Sequence, residues 1–127
     1  MDLQSQLSRR ERQIMDIVFA HGEASGAAIS EEMPDPPARG PMRVMLRILE
    51  DKGHLRHYKK GREFIYVPTR SRQQVGPPAL RRVVDTFFGG SIRNAVAAHL
   101  AQRNTDVSEE ELRRLAELIR QARGKGR

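Results

Sequence analysis

A mainly α-helical fold carrying one small β wing is predicted by this sequence of 127 residues, on three observations. First, Arg39-Gly40-Pro41-Met42-Arg43-Val44-Met45-Leu46-Arg47-Ile48-Leu49-Glu50-Asp51-Lys52-Gly53 sets Arg39, Arg43 and Arg47 at successive i,i+4 positions, with Met42, Met45, Leu46 and Leu49 as an apolar face. Second, His54 to Val67 alternates and turns like a short basic hairpin. Third, two shorter helical patterns precede this pair and further amphipathic ones follow it. Three short helices and a hairpin make a winged helix-turn-helix, and the remainder makes a C-terminal helical region.

The first helix opens at Ser8, an N-cap with Glu11 completing a capping box, and carries Ile14, Met15, Ile17, Val18 and Phe19 at core spacing until His21-Gly22. Ser25 caps a short second helix through Ala27, Ala28, Ile29 and Met33, and Pro34-Asp35-Pro36-Pro37 then forces a loop. Gly40-Pro41 begins the third helix, since a proline in the first turn lacks only an amide proton that would have no intrahelical partner. In the wing, Leu55, His57 and Lys59 form one strand, Lys60-Gly61 turns, and Phe64 to Val67 return until Pro68. Phe64 and Tyr66 share one face and Ile65 and Val67 the other, so one pair covers the helices. Core packing is the better assignment for Tyr58 and Tyr66 than stacking on bases.

These elements give a winged helix-turn-helix domain over residues 1–70 and a linker over 71–77, where Gly76-Pro77-Pro78 does not continue a helix smoothly. A helical dimerisation domain follows over 78–127. Leu80, Val83, Val84, Phe87 and Phe88 keep helical spacing up to Gly89-Gly90, and Ser91 caps a helix with Ile92, Ala95, Val96, Ala98 and Leu100. Ser108-Glu109-Glu110-Glu111 repeats the capping box before a stripe of Leu112, Leu115, Leu118 and Ile119, and the tail frays from Arg123. Amphipathic helices attached to a small reader domain call for a partner, and a second copy is the simplest one. The expected contacts between copies are Leu80, Val84, Phe87, Phe88, Ile92, Val96, Leu100, Leu112, Leu115 and Ile119.

Charge points to the ligand of the wing and its helix. The formal net charge is +7, but residues 38–62 alone hold eight Lys/Arg against two Asp/Glu, while residues 1–37 hold three against seven. Localised basicity of this kind is an electrostatic footprint for a polyanion. The expected DNA-binding residues are Arg39, Gly40, Arg43 and Arg47 on the helix, and Arg56, Lys59, Lys60 and Arg62 on the wing. Arg43 is the first choice for a base contact and Arg39 for base or phosphate. Arg47 suits a phosphate or an ion pair with Glu50 or Asp51.

Other classes fare worse. With no cysteine there is neither a disulfide nor a thiolate metal site. No apolar run is long enough for a membrane span, and the amino terminus lacks the pattern of a signal peptide, so a cytoplasmic protein without cofactor is expected. His54 and His57 lie three apart on a strand, hence on opposite faces, and suit the wing surface better than a metal. No phosphate loop or catalytic constellation appears, so an enzyme is not expected. A general DNA coat and a protein-interaction winged helix remain as alternatives, and the former would bind with strong salt dependence and no sequence preference.

Five blocks in order carry a resemblance: Leu7 to Glu11, Leu46 to Leu55, Gly61 to Pro68, Phe87-Phe88-Gly89-Gly90-Ser91, and Ser108 to Leu112. Together they resemble the penicillinase and methicillin-resistance repressor family, whose wider circle includes copper-responsive operon repressors. The resemblance implies a homodimeric repressor with a recognition helix in the major groove of a palindromic operator and intertwined C-terminal helices. Gly40-Pro41-Met42 departs from the family's Thr-Thr-Val or Ser-Thr-Val, removing two hydroxyls, so either Arg39 and Arg43 take over the reading or the operator differs from the family's usual one. The family also implies release by cleavage under a membrane-bound metallopeptidase sensor. His99-Leu100 lines up with the family's Asn-Phe bond as the proteolytic site, and the copper route is closed for want of cysteine.

Overall fold

The start of the first helix and the end of the third meet at one carboxylate. In the computed structural model, which describes residues 6–103 and 106–125, α1 (Arg9–His21) opens with the full capping box. Ser8 Oγ accepts the Glu11 amide at 3.2 Å, and Glu11 Oε1 accepts the Ser8 amide at 2.8 Å. Glu11 is only 7% exposed and also takes Lys52 Nζ at 3.1 Å, which ties α1 to the end of α3 (Arg39–Asp51). Burial raises the Glu11 pKa, but the Ser8 amide, the Lys52 ammonium and the Ser8 hydroxyl outweigh it and leave the carboxyl below its ordinary value.

Around this junction the core is continuous. Ile14, Met15 and Val18 of α1 pack with Ile29 of α2 (Gly26–Glu32), Met33, and Met42, Leu46 and Leu49 of α3. Leu55 and Tyr66 close it from the wing. The wing is a three-stranded antiparallel sheet in the order β1-β3-β2, with β1 Ala24–Ser25, β2 Leu55–Lys60 and β3 Glu63–Pro68. The two-residue β1 is not evident from alternation. Ser25 pairs with Ile65 and also caps α2 by accepting the Ala28 amide at 3.1 Å, so one residue ends a strand and starts a helix. The hairpin loop is Gly61-Arg62 rather than Lys60-Gly61, because Lys60 still pairs with Glu63. Gly61 has φ +63° and Arg62 no positive φ, as a type II′ turn requires. Of the aromatic pair, Tyr66 is core while Phe64 lies further out along the strand and is exposed. Tyr58 is likewise exposed instead of packed in the core.

The expected linker over 71–77 is corrected: α4 (Arg72–Phe87) is one helix with Pro77 and Pro78 inside it. The prolines fall in its second turn and deprive only the carbonyls of Gln73 and Gln74 of amide donors. Gly76 has no Cβ to clash with the ring that follows. The helix start is secured by Ser71, whose hydroxyl accepts the Gln74 amide, and by Arg72, which donates from Nε to Phe19 O and from Nη2 to Ala20 O, both at 2.8 Å. Two compact units, Met1–Arg82 and Val83–Arg127, divide inside this helix and not at 70/78.

In the second unit Val84 is buried, Gly90 N donates to Val84 O at 3.0 Å, and Ser91 caps α5 (Ile92–Leu100) through the Asn94 amide at 3.1 Å. α6 (Glu109–Lys125) starts at Ser108, which accepts the Glu111 amide. It continues through Arg123 and Gly124, where fraying was expected; the last two residues of that tail, Gly126 and Arg127, lie outside the described residues. Among the described residues no helix is long and apolar enough to cross a membrane.

Acid is expected to lower the stability of the first unit over two pH ranges. His54, half-buried, has its pKa lowered by burial and then by Arg70 and Lys52, with Glu11 opposing. A lowered folded-state value stabilises above the unfolded value and is lost as pH falls through the folded one. Stability should therefore decline first below the ordinary histidine value of 6.5 and again below the ordinary glutamate value of 4.5. Urea titrations across pH check this, and Glu11→Gln should remove the second decline.

Candidate nucleic-acid interface

Because Met42, Leu46 and Leu49 face the core, the i,i+4 spacing leaves Arg39, Arg43 and Arg47 along one exposed edge of α3. None of the three makes a hydrogen bond or ion pair among the described residues. A cleft of about 580 Å³ opens beside them between α2, α3 and the wing. Arg39, Arg43, Lys59 and Arg62 line it, over a floor that includes Met42, Leu46, Phe64 and Tyr66. Among the described lining residues Glu63 is the only carboxylate. Four cations from helix and hairpin thus converge on one concave surface, a suitable seat for a polyanion.

The remaining expected contacts are placed differently. Arg47 lies one turn further along the helix, outside the cleft. Arg56 and Lys60 alternate with Lys59 along β2, so they belong to the other face of the wing. Gly40 sits in the first turn of α3, and a Cβ there would meet nothing within 4 Å.

The Arg47 ion pair with Glu50 or Asp51 is not formed. Glu50 instead engages His57 Nδ1, and the His57 ring stacks on Phe64 at 4.3 Å between centroids. His57 is therefore no idle surface residue: it joins the middle of β2 to the last turn of α3. Tyr58, on the opposite face, donates its hydroxyl to Glu23 at 2.6 Å. That bond, with desolvation behind it, raises the tyrosine pKa and holds the wing to the segment before β1.

Two residues of α3 escaped sequence reasoning. Val44 is 57% exposed and Ile48 39% exposed. Helical phase alone separates them from the core-facing set, and that signal was present in the spacing.

The C-terminal helices carry a different surface. Phe87 is 69% exposed and Ile92 60%, while Leu80, Leu100, Leu112, Leu118 and Ile119 are also exposed. Phe88, Val96 and Leu115 are half-buried, and Val84 is buried within the chain, so its side chain is already used. His99 and Leu100 end α5 and are exposed, with Ala101 capping the helix.

The helix-to-wing link can be weighed by a double-mutant cycle on Glu50→Gln and His57→Ala. Both side chains are a quarter to a third exposed, so the expected coupling in urea unfolding is below about 1 kcal/mol. Replacing Arg47 with alanine should leave that coupling unchanged.

The penicillinase repressor family matches residues 7–121. A penicillinase repressor of Bacillus licheniformis is 25% identical over 116 residues, covering 90% of this chain and 89% of that protein. The match spans the capped first helix, the arginine-edged third helix, the wing and nearly all of the C-terminal helices, and the chain belongs to the penicillinase repressor family.

Proposed function

We propose that the protein is a homodimeric, sequence-specific transcriptional repressor that occludes a palindromic operator. The observation that carries this reading is the convergence of Arg39, Arg43, Lys59 and Arg62 on one cleft beside an exposed helix. In the proposed complex α3 lies in the major groove, and Arg43 bridges guanine O6 and N7. Arg39 reaches a base or a phosphate, and Arg47, which has no carboxylate partner among the described residues, takes a phosphate. Lys59 and Arg62 hold backbone from one face of the wing, while Arg56 and Lys60 serve the flanking backbone or minor groove from the other.

The exposed apolar side chains of α4, α5 and α6 are too numerous to be scattered surface residues, and a second copy covers them. A two-fold dimer then presents two recognition helices to a dyad. Working in the cytoplasm, the repressor is released by cleavage in the dimerisation region at His99-Leu100, under control of a membrane-bound metallopeptidase sensor. The support for that step is the family's mode of release and the exposure of Leu100 at the end of α5.

Selection of bound sequences from a random DNA pool, titrated at two salt concentrations, tests the reading. A dyad bound at least about 10³-fold better than random DNA is expected. Uniform, steeply salt-dependent binding would establish a charge-driven DNA coat instead. Arg43→Ala should lose about 10- to 100-fold on the selected site and relax preference at one position per half-site. In sedimentation, the wild type should run as a dimer and Phe87→Glu should shift it towards monomer.

A further inference from the structure

The outward face of α3 holds two apolar side chains that the fold does not use. Met42, Leu46 and Leu49 fill the core and Met45 packs against it, yet Val44 remains 57% exposed in the middle of the helix. Exposed valine is a poor choice for helix stability, because its branched Cβ is restricted against the preceding turn. One turn before Val44, at the same phase, Gly40 has open space where a side chain would be. The amino-terminal half of this face therefore consists of bare backbone followed by two methyl groups, bordered on one side by Arg43 and Arg47. It offers no side-chain hydrogen bond.

We infer that Val44 reads a thymine methyl group in the major groove, with Gly40 allowing the helix backbone to approach the bases. This rests on the operator-reading function proposed above and specifies how part of it is done. Of the groups that base pairs display in the major groove, the thymine C5 methyl is the apolar one, and a face lacking donors and acceptors has no other base edge to match. A recognition helix turns its amino-terminal residues to the bases. Arg39 is the first residue of α3, so Gly40 and Val44 fall within its first two turns. Ile48 lies about 6 Å further along the axis and nearer the departing end of the helix. The neighbouring Arg43 hydrogen-bonds an adjacent pair, so the half-site should hold a thymine beside the guanine that Arg43 recognises.

The test uses the full-length chain and the dyad recovered by selection, with deoxyuridine replacing thymine at one position of each half-site at a time. At the thymine beside the Arg43-dependent guanine, the wild type should lose about fourfold per half-site, the worth of one buried methyl group. Val44→Ala should bind the unmodified site as weakly as the wild type binds the deoxyuridine site and lose nothing more on the modified DNA. Val44→Thr, which keeps one of the two methyl groups, should fall between them. Equal deoxyuridine penalties in wild type and Val44→Ala at every position, or unchanged binding by Val44→Ala, would overturn the methyl contact while leaving the operator reading intact. Absence of any selected dyad with the wild type would overturn both.

Discussion

The rotation of α3 about its own axis is the constraint on which the interface depends. Met42, Leu46 and Leu49 are each almost wholly buried, and a helix that commits three side chains to a core cannot turn without exposing them. With that phase set, Arg39, Arg43 and Arg47 lie along one edge and Gly40 and Val44 face outward, without any interaction of their own being needed to hold them there. The candidate binding residues are thus positioned by apolar neighbours one or two places away. The three arginines make no hydrogen bond or ion pair among the described residues, which leaves their guanidinium groups available to a ligand.

Carboxylates do the complementary work. Glu11 joins the first turn of α1 to the last residues of the α3 segment through Ser8 and Lys52. Glu50 joins α3 to the wing through His57, and Glu23 joins the wing to the segment before β1 through Tyr58. Each link spans two elements, so the hairpin is held both to the third helix and to the chain entering the second. A two-stranded ribbon is marginal by itself, and these contacts together with Leu55 and Tyr66 in the core supply what it lacks.

Much of this architecture is legible in local chemistry. The capping box at Ser8, the Ser25 and Ser91 caps and the apolar phase of α3 are signals within four residues, and the structure repeats them. The misreadings concern interactions of longer range. The short β1 exists because Ala24 and Ser25 meet Tyr66 and Ile65, some forty residues away, so no alternation marks it. The continuity of α4 through Pro77 and Pro78 depends partly on the α1 carbonyls that Arg72 caps, a contact across more than fifty residues. In the site, spacing singled out the cationic residues but not their grouping. Strand alternation divides Lys59 from Arg56 and Lys60, while proximity to α3 brings Lys59 and Arg62 to Arg39 and Arg43.

The partnering of Glu50 has a consequence for the arginine edge. By helical phase Glu50 is a natural ion-pair partner for Arg47, and a pair there would offset part of the positive field on the proposed polyanion-binding face. It would also have to be broken, or carried neutralised, when a phosphate arrives. Engagement of Glu50 by His57 draws the carboxylate toward the wing, and the stacking of His57 on Phe64 keeps the imidazole there. Arg47 then faces solvent with no carboxylate partner among the described residues, so the proposed phosphate contact would displace counterions, a process favoured at low salt. One side-chain pair accordingly serves two ends: it holds the wing against the helix and keeps an acid away from the cations that the wing and helix present together.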